Sequence, residues 1–410
     1  MSRGDTYEWS NLLTLGYDTS TPTRTLSFDA GVDLRFRDEP GDDTSEGFED
    51  PFVRFAYGIA NTSTLMDLNA SFARTEVNRR DFDLVEDGLP DQDLSTDDGD
   101  LERYDLRFAG SFGRDAPFGA DIFGRFTDRQ YIDTTDPDLF DSITREIGGA
   151  LNFRLSPVLT ARLTADYRDF DADDLEETDN DRRSIGAGFD TQYDEVTLIS
   201  FDLSYVEIRE FQTFGTQRIL DEEDDLVASL SATRQLPNGT VFGSVSQDLS
   251  LAGDRTAVSV GRSLTLPDGE LAFSVGVSST FDDPRFIGSL DYLKELPRGT
   301  LTIFYDQEVG TGADEEEFLT ARLGFGYEQF INSFSRWRLD GDVQAVEDTG
   351  EGTTDDRTRA RISASYIRDL TADWDLIAGY EYEYDDQDNS GSADSNSLFV
   401  SVARTFRRSR

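Results

Sequence analysis

Cysteine and histidine are both absent from the 410 residues of this sequence. The lack of cysteine excludes disulfide bonds and thiol chemistry. The lack of histidine excludes most hydrolytic triads and removes the commonest metal ligand and neutral-pH proton carrier. Carboxylates number 84, so many that no chosen pair indicates a glycosidase site. The composition therefore predicts a protein that is not an enzyme and that holds neither a cofactor nor a metal ion.

Long apolar runs are absent as well. No stretch approaches the roughly 18 apolar residues of a transmembrane helix, and no segment shows sustained helical spacing. The formal net charge of −46 argues against binding to nucleic acid. One pattern continues from end to end without a linker, so residues 1–410 are predicted to form a single domain.

What the sequence does contain is one hairpin repeated at equal spacing. The turns at 236–239, 266–269 and 296–299 each have the form Leu-Pro-Xaa-Gly, and they begin 30 positions apart. A short turn between two runs of alternating apolar and polar residues predicts a β-hairpin, in which glycine supplies a positive φ. Each flanking run has about ten residues, the length that a tilted strand needs to cross a bilayer.

The same alternation extends over the rest of the chain. Between Thr25 and Phe36 every even position is apolar, and every odd position is polar or glycine. Comparable segments begin at Tyr104, Arg336 and Trp374. Period-two segregation gives each strand one apolar and one polar face. We therefore predict an all-β fold, a large antiparallel transmembrane β-barrel whose apolar faces contact lipid.

The predicted connections between strands alternate in length. Ten short turns alternate with ten longer, mostly acidic segments, of which the longest is Val77 to Leu101. This asymmetry is typical of outer-membrane barrels, with short periplasmic turns and long acidic extracellular loops. We expect the Val77–Leu101 segment, or another acidic loop, to fold inward and narrow the pore.

The connections give 21 strands, within a predicted range of 20–22. Bacterial single-chain barrels usually have an even number. Three explanations for the odd number are open. A first strand and a signal peptide are missing upstream of residue 1, or a strand is split or overlooked around the longest connection, or the barrel is unusual.

Many predicted strands have aromatic residues near their ends. A soluble sandwich or solenoid would not explain this placement, whereas aromatics at both ends of an apolar band are typical of a membrane interface. The predicted interface aromatics are Trp9, Tyr17, Phe36, Phe72, Tyr167, Tyr205, Trp337 and Tyr384.

Charged residues recur on the polar strand faces. An arginine that faced lipid at the midplane would cost about 2–4 kcal/mol, so these faces are predicted to point into the lumen. Opposite charges there either pair across strands as a hydrated wall or form a selective lining. The predicted pore-lining residues are Asp29, Asp33, Arg35, Asp67, Asp105, Arg107, Asp121, Arg125, Arg162, Asp166, Asp202, Arg336, Arg338, Asp340 and Asp342.

The last predicted strand, Ser397 to Phe406, alternates toward a near-terminal aromatic residue. It resembles the C-terminal signal strand by which the barrel-assembly machinery recognises Gram-negative outer-membrane proteins, with Phe406 as the insertion signal. The extension 407–410 departs from that pattern, because such proteins often end at the phenylalanine. Over nearly its whole length the chain resembles porin-like outer-membrane β-barrel proteins, by pattern rather than by a diagnostic motif.

This resemblance implies that the chain is integral to the cell outer membrane, in contact with its lipid and lipopolysaccharide. We expect a channel for passive diffusion of small solutes that mildly prefers cations, since acidic residues outnumber basic ones. A non-conducting surface protein whose acidic loops bind a partner is one alternative, and a polysaccharide exporter is another.

Overall fold

The computed structural model describes residues 7–38, 45–77, 99–134, 139–214, 217–251, 253–280, 283–311, 317–348, 356–387 and 391–404. The regular elements in these residues are all β-strands, which confirms the predicted all-β fold. No helix in this part of the chain is long and apolar enough to cross a membrane.

In the described parts of the chain, twenty-one strands form one antiparallel sheet, as many as the pattern of connections predicts. The registers join strands that are adjacent in the chain, as in a series of hairpins. The strands are β1 (Tyr7–Thr21), β2 (Arg24–Asp38), β3 (Ser45–Ala60), β4 (Thr64–Glu76), β5 (Asp100–Phe112), β6 (Phe118–Ile132), β7 (Ser142–Ser156), β8 (Leu159–Ala172), β9 (Asp179–Asp194), β10 (Thr197–Phe214), β11 (Gln217–Leu236), β12 (Gly239–Ser250), β13 (Gly253–Leu266), β14 (Gly269–Thr280), β15 (Asp283–Leu296), β16 (Gly299–Thr311), β17 (Glu317–Asn332), β18 (Ser335–Asp348), β19 (Arg357–Asp369), β20 (Trp374–Gln387) and β21 (Gly391–Arg404).

The chain divides into two compact units. Unit 1 comprises Met1–Glu86, Asp91–Thr191 and Phe201–Ala228, and unit 2 comprises Asp87–Pro90, Gln192–Ser200 and Ser229–Arg410. Strands β1 to β8 lie wholly in unit 1 and β12 to β21 wholly in unit 2, while β9, β10 and β11 contribute residues to both.

Solvent exposure is inverted relative to that of a soluble β-protein. Leu398 and Val260 are 84% and 54% exposed, whereas Arg35, Thr127 and Gln344 are 5%, 2% and 4% exposed. Soluble proteins bury most of their large apolar side chains and expose their arginines. Rows of exposed apolar residues are what a lipid-facing band requires.

The strands are longer than a bilayer needs. They have 12 to 20 residues, against the roughly 9–11 that a tilted transmembrane strand uses. The acidic run Asp221–Asp225 therefore lies within β11, and the connections β10–β11, β12–β13 and β14–β15 have only two residues each. The prediction of longer loops at these three places is wrong, because the strands themselves continue past the apolar band.

The three repeated turns lie where the Leu-Pro-Xaa-Gly motif predicts them. The backbone is only partly as expected, since Gly239 has a φ of +133° but Gly299 does not have a positive φ. Space is the stronger reason for glycine at both positions. A Cβ on Gly299 would lie 1.9 Å from the carbonyl oxygen of Glu328, and one on Gly239 would lie 2.0 Å from that of Ser263. Close approach of the next strand explains these glycines.

We expect Gly299→Ala to lower the free energy of unfolding by about 1–3 kcal/mol, because the added methyl group must displace a neighbouring backbone. Urea unfolding of the refolded protein, followed by tryptophan fluorescence, measures this. Gly243→Ala is the matched control, since its Cβ would lie at an ordinary 3.6 Å from the nearest atom, the Ser259 carbonyl oxygen. Equal losses in the two variants would contradict the explanation.

Candidate pore-lining face

Cross-strand pairing in unit 1 assigns the predicted lining residues to a single strand face, here called the polar face. Arg107 lies opposite Arg125, which in turn lies opposite Glu146. On β9 and β10, a Cβ added to Gly188 would meet the carboxylate of Asp202. Followed from strand to strand, the register places these predicted residues on that face: Asp29, Asp33, Arg35, Asp67, Asp105, Arg107, Asp121, Arg125, Arg162, Asp166 and Asp202.

Arg162 is the centre of a three-strand ion-pair group on this face. Its Nη1 lies 2.5 Å from Oδ2 of Asp190 on β9, and its Nε donates to Oδ1 of Asp202 on β10 at 2.7 Å. In this group one arginine is opposed by two carboxylates. It is the cross-strand pairing that a hydrated wall predicts.

Arg35 is itself buried, at the centre of a cluster of carboxylates. Its guanidinium contacts carboxylates from β1, β2, β3 and β4, at 3.7 Å for Glu8, 3.3 Å for Asp33 and 3.2 Å for Glu76. Asp50 has a φ of +47°, rare for a residue with a side chain, beside an irregularity in the β2–β3 register. The cluster consists of Arg35, Glu8, Asp33, Glu49, Asp50 and Glu76.

On the polar face of unit 2, charged residues are frequent from β16 to β20. Arg338 donates to Asp340 at 2.7 Å, and the Arg336 guanidinium lies 3.2 Å from Glu328. Opposite β18, Arg361 donates to Glu381 at 2.7 Å. The four predicted residues of β18 are placed on one face by their alternation and register: Arg336, Arg338, Asp340 and Asp342.

The central rows of β12, β13 and β14, together with Ser289 on β15, present hydroxyl groups instead of charges. On the same face, cross-strand hydroxyls lie 2.7 Å apart in the pairs Thr240–Ser263 and Ser244–Ser259, and 2.8 Å apart in the pair Ser274–Ser289. We call these six residues the serine wall. Sequence analysis missed it, although serine at alternate positions of the repeat was the available signal.

The predicted interface aromatics lie on the apolar strand faces. Trp9 lies opposite Phe36 across β1 and β2. The ring of Phe72 is 4.8 Å from that of Tyr104, and the ring of Trp337 is 5.2 Å from that of Tyr366. The register likewise places Tyr17, Tyr167, Tyr205 and Tyr384 on apolar faces. Their position at a membrane interface stays a prediction.

In two strands, the residues that follow the interface aromatic exchange faces: charged side chains lie on the formerly apolar face and apolar side chains on the polar face. On β10, Tyr205 is followed on its own face by Glu207, whereas Ile208 on the polar face is fully buried. On β8, Tyr167 precedes Phe170, which is also buried on the polar face. A strand whose outer face becomes charged has left the apolar band. Sequence analysis did not predict these buried apolar residues, because it assigned each strand one constant apolar face.

One carboxylate outside the strands has a perturbed pKa. Asp141, in the β6–β7 connection, accepts a hydrogen bond from the backbone N–H of Tyr131 at 2.7 Å. Burial raises the pKa of Asp141, and the nearby carboxylates of Asp173 and Asp128 raise it further. The fold therefore favours the neutral form of Asp141. The stability that this preference contributes to the protein at low pH is lost as pH rises through the raised pKa of Asp141.

We expect Asp141→Asn to increase stability near pH 7, where it removes a penalised charge but keeps an acceptor for Tyr131. Near pH 3 the acid is itself neutral, and the difference should vanish. Urea unfolding at both pH values measures this, with Asp115→Asn in an exposed turn as the control. A stabilisation that is independent of pH would contradict it.

Two of the sequence predictions fall outside the described residues. These are the insertion signal Phe406 and the inward folding of the central part of the Val77–Leu101 segment. In the part of the chain that is described, no group of three or more Asp, Glu, His or Cys residues is arranged to hold a metal ion.

Comparison with known proteins identifies the fold. No protein-family model matches the sequence, and no curated protein does. Among solved structures, the ferric-catecholate import receptor Fiu from Escherichia coli matches with a TM-score of 0.61 at 8% identity, over 97% of this chain and 79% of that one. The FrpB iron transporter from Neisseria meningitidis matches with a TM-score of 0.59 at 9% identity, over 98% of this chain and 80% of that one. The copper transporter OprC matches with a TM-score of 0.51 at 13% identity, over 99% of this chain and 81% of that one.

At such low identity these likenesses establish the fold and not the activity. They confirm the predicted resemblance as far as an outer-membrane β-barrel, without supporting a porin in particular. The chain has the large antiparallel β-barrel fold of Gram-negative outer-membrane proteins.

Proposed function

We propose that this chain is an integral outer-membrane channel through which small solutes diffuse passively. The observation that carries the proposal is the division of each strand into a polar face of paired charges and hydroxyls and an exposed apolar face. With lipid against the apolar face, the polar face lines the solute path. The matched structures include an import receptor and a copper transporter, which supports a role in transport.

The channel is proposed to prefer cations mildly. The fifteen predicted lining residues comprise nine aspartates and six arginines. Pairing neutralises much of this charge, but Arg162 is opposed by two carboxylates. A lining with a small excess of negative charge attracts cations without holding them tightly, as conduction requires.

Planar-bilayer recording of the refolded protein under a salt gradient tests the proposal. We expect stable conductance and a reversal potential of cation-selective sign. Arg162→Gln should shift that potential further toward cations, because it removes the positive charge that pairs with Asp190 and Asp202. Arg183→Gln is the control, since Arg183 lies on the opposite strand face and pairs with Asp181 at 3.1 Å. Absence of conductance, or an anion preference, would overturn the proposal.

A receptor that binds and imports a metal chelate is a second candidate, favoured by the fold likeness to the import receptors. Such a protein would bind its ligand tightly and conduct poorly when empty. A ferric catecholate complex added to the refolded protein distinguishes the two. Quenching of tryptophan fluorescence at micromolar concentrations, without conductance, would favour the receptor.

A further inference from the structure

The serine wall differs from the rest of the polar face in its chemistry. Over the central rows of β12, β13 and β14, the polar-face positions are serine, threonine, glycine, alanine and one phenylalanine. In the same rows, charges return at Asp291 on β15, Asp306 on β16 and Arg322 on β17. The wall is therefore an uncharged strip beside a charged one.

The hydroxyl groups of the wall retain hydrogen-bonding capacity. In each pair, for example Ser244–Ser259, one hydroxyl hydrogen forms the cross-strand bond. The second hydrogen and the remaining lone pairs can bond to water or to a solute. Binding a neutral hydroxyl group to such a wall requires no charge to be desolvated.

An aromatic ring lies within this strip. Phe242 lies opposite Gly261, and a Cβ on Gly261 would come within 2.3 Å of the ring atom Cζ. The ring therefore rests against the glycine backbone of the next strand. Phe242 is half-buried, so part of the ring remains accessible to the apolar C–H groups of a solute.

We propose that the serine wall and Phe242 form a contact surface for neutral polyhydroxylated solutes, with linear oligosaccharides as the chemical class. Sugars present hydroxyl groups and flat C–H surfaces together, which matches hydroxyl pairs beside an aromatic ring. The contacts are individually weak and repeated from strand to strand, as passage rather than retention demands. The inference rests on the proposed function only in that solutes must reach the polar face.

Saturation-transfer NMR on the full chain, refolded in detergent, tests this with a neutral linear glucose hexamer. We expect binding with a dissociation constant in the millimolar range. Phe242→Ala should weaken it about 3- to 10-fold, as expected for loss of one aromatic contact. Phe273→Ala is the matched control, since Phe273 belongs to the next hairpin but lies exposed on the apolar face. The double variant Ser244→Ala, Ser259→Ala should weaken binding without altering the ring.

The outcomes separate the inference from the proposed function. A protein that conducts ions but does not bind the hexamer at about 50 mM, well above the expected dissociation constant, overturns the inference and leaves the channel. A protein that binds the hexamer but does not conduct overturns the channel and leaves the inference. If Phe242→Ala and Phe273→Ala weakened hexamer binding equally, the inferred contact surface would also be overturned. If Phe242→Ala fails to refold, the double serine variant decides the question.

Discussion

Arg35→Met is expected to lower the free energy of unfolding by about 3–5 kcal/mol, because it removes the buried cation that five largely buried or half-buried carboxylates share. Arg35 is 5% exposed and contacts five carboxylates drawn from β1, β2, β3 and β4. Without Arg35, the like charges of these carboxylates face one another across the four strands. The expected effect is much larger than that of a surface ion pair.

Urea unfolding of the refolded protein measures this loss, and heat modifiability in gel electrophoresis confirms that each variant has folded. Arg338→Met is the control, since the Arg338–Asp340 pair is 56% and 37% exposed and should contribute no more than about 1 kcal/mol. Arg35→Lys retains the charge but loses the planar fork of donors, so its stability should fall between that of wild type and that of Arg35→Met. A loss no greater than that of Arg338→Met would show that the cluster is well solvated.

Val260→Arg is expected to lower stability by about 2–4 kcal/mol, the cost of a charged side chain facing lipid near the bilayer midplane. Val260 lies near the middle of β13 and is 54% exposed. Its neighbour Ser259 lies on the polar face, where an arginine reaches water. Ser259→Arg should therefore change stability by less than about 1 kcal/mol.

The same pair of variants reports on the channel. Ser259→Arg adds bulk and positive charge to the polar face, so it should reduce conductance and weaken the cation preference. A well-folded Val260→Arg protein should conduct like wild type. If both substitutions were equally destabilising, lipid would not be confined to the apolar face.

The turns show how far sequence reasoning extends. The Leu-Pro-Xaa-Gly motif correctly places three hairpins, since local turn chemistry and alternation are properties of neighbouring residues. The reason for the glycine at 299 could not be found that way, because the obstructing atom belongs to Glu328, on the adjacent strand. Acidic residues are usually solvated and so favour loops, but the run Asp221–Asp225 in β11 shows that a strand accommodates them equally well.

The ion pairs show the same limit. Arg35 and Asp33 were predicted as lining residues because they alternate with apolar neighbours. Their partners could not be predicted, since Glu76 is 41 positions from Arg35. Residue types alone do not specify which of 84 carboxylates meets a given arginine.

Strand number, strand faces and turn positions follow from a side-chain period of two, which any stretch of chain displays without reference to its neighbours. Cross-strand register depends on every pairing at once, and it specifies the five carboxylates around Arg35, the hydroxyl pairs of the serine wall and the ring of Phe242 over Gly261. These contacts join residues far apart in the chain, so they exist only once the strands have been placed side by side.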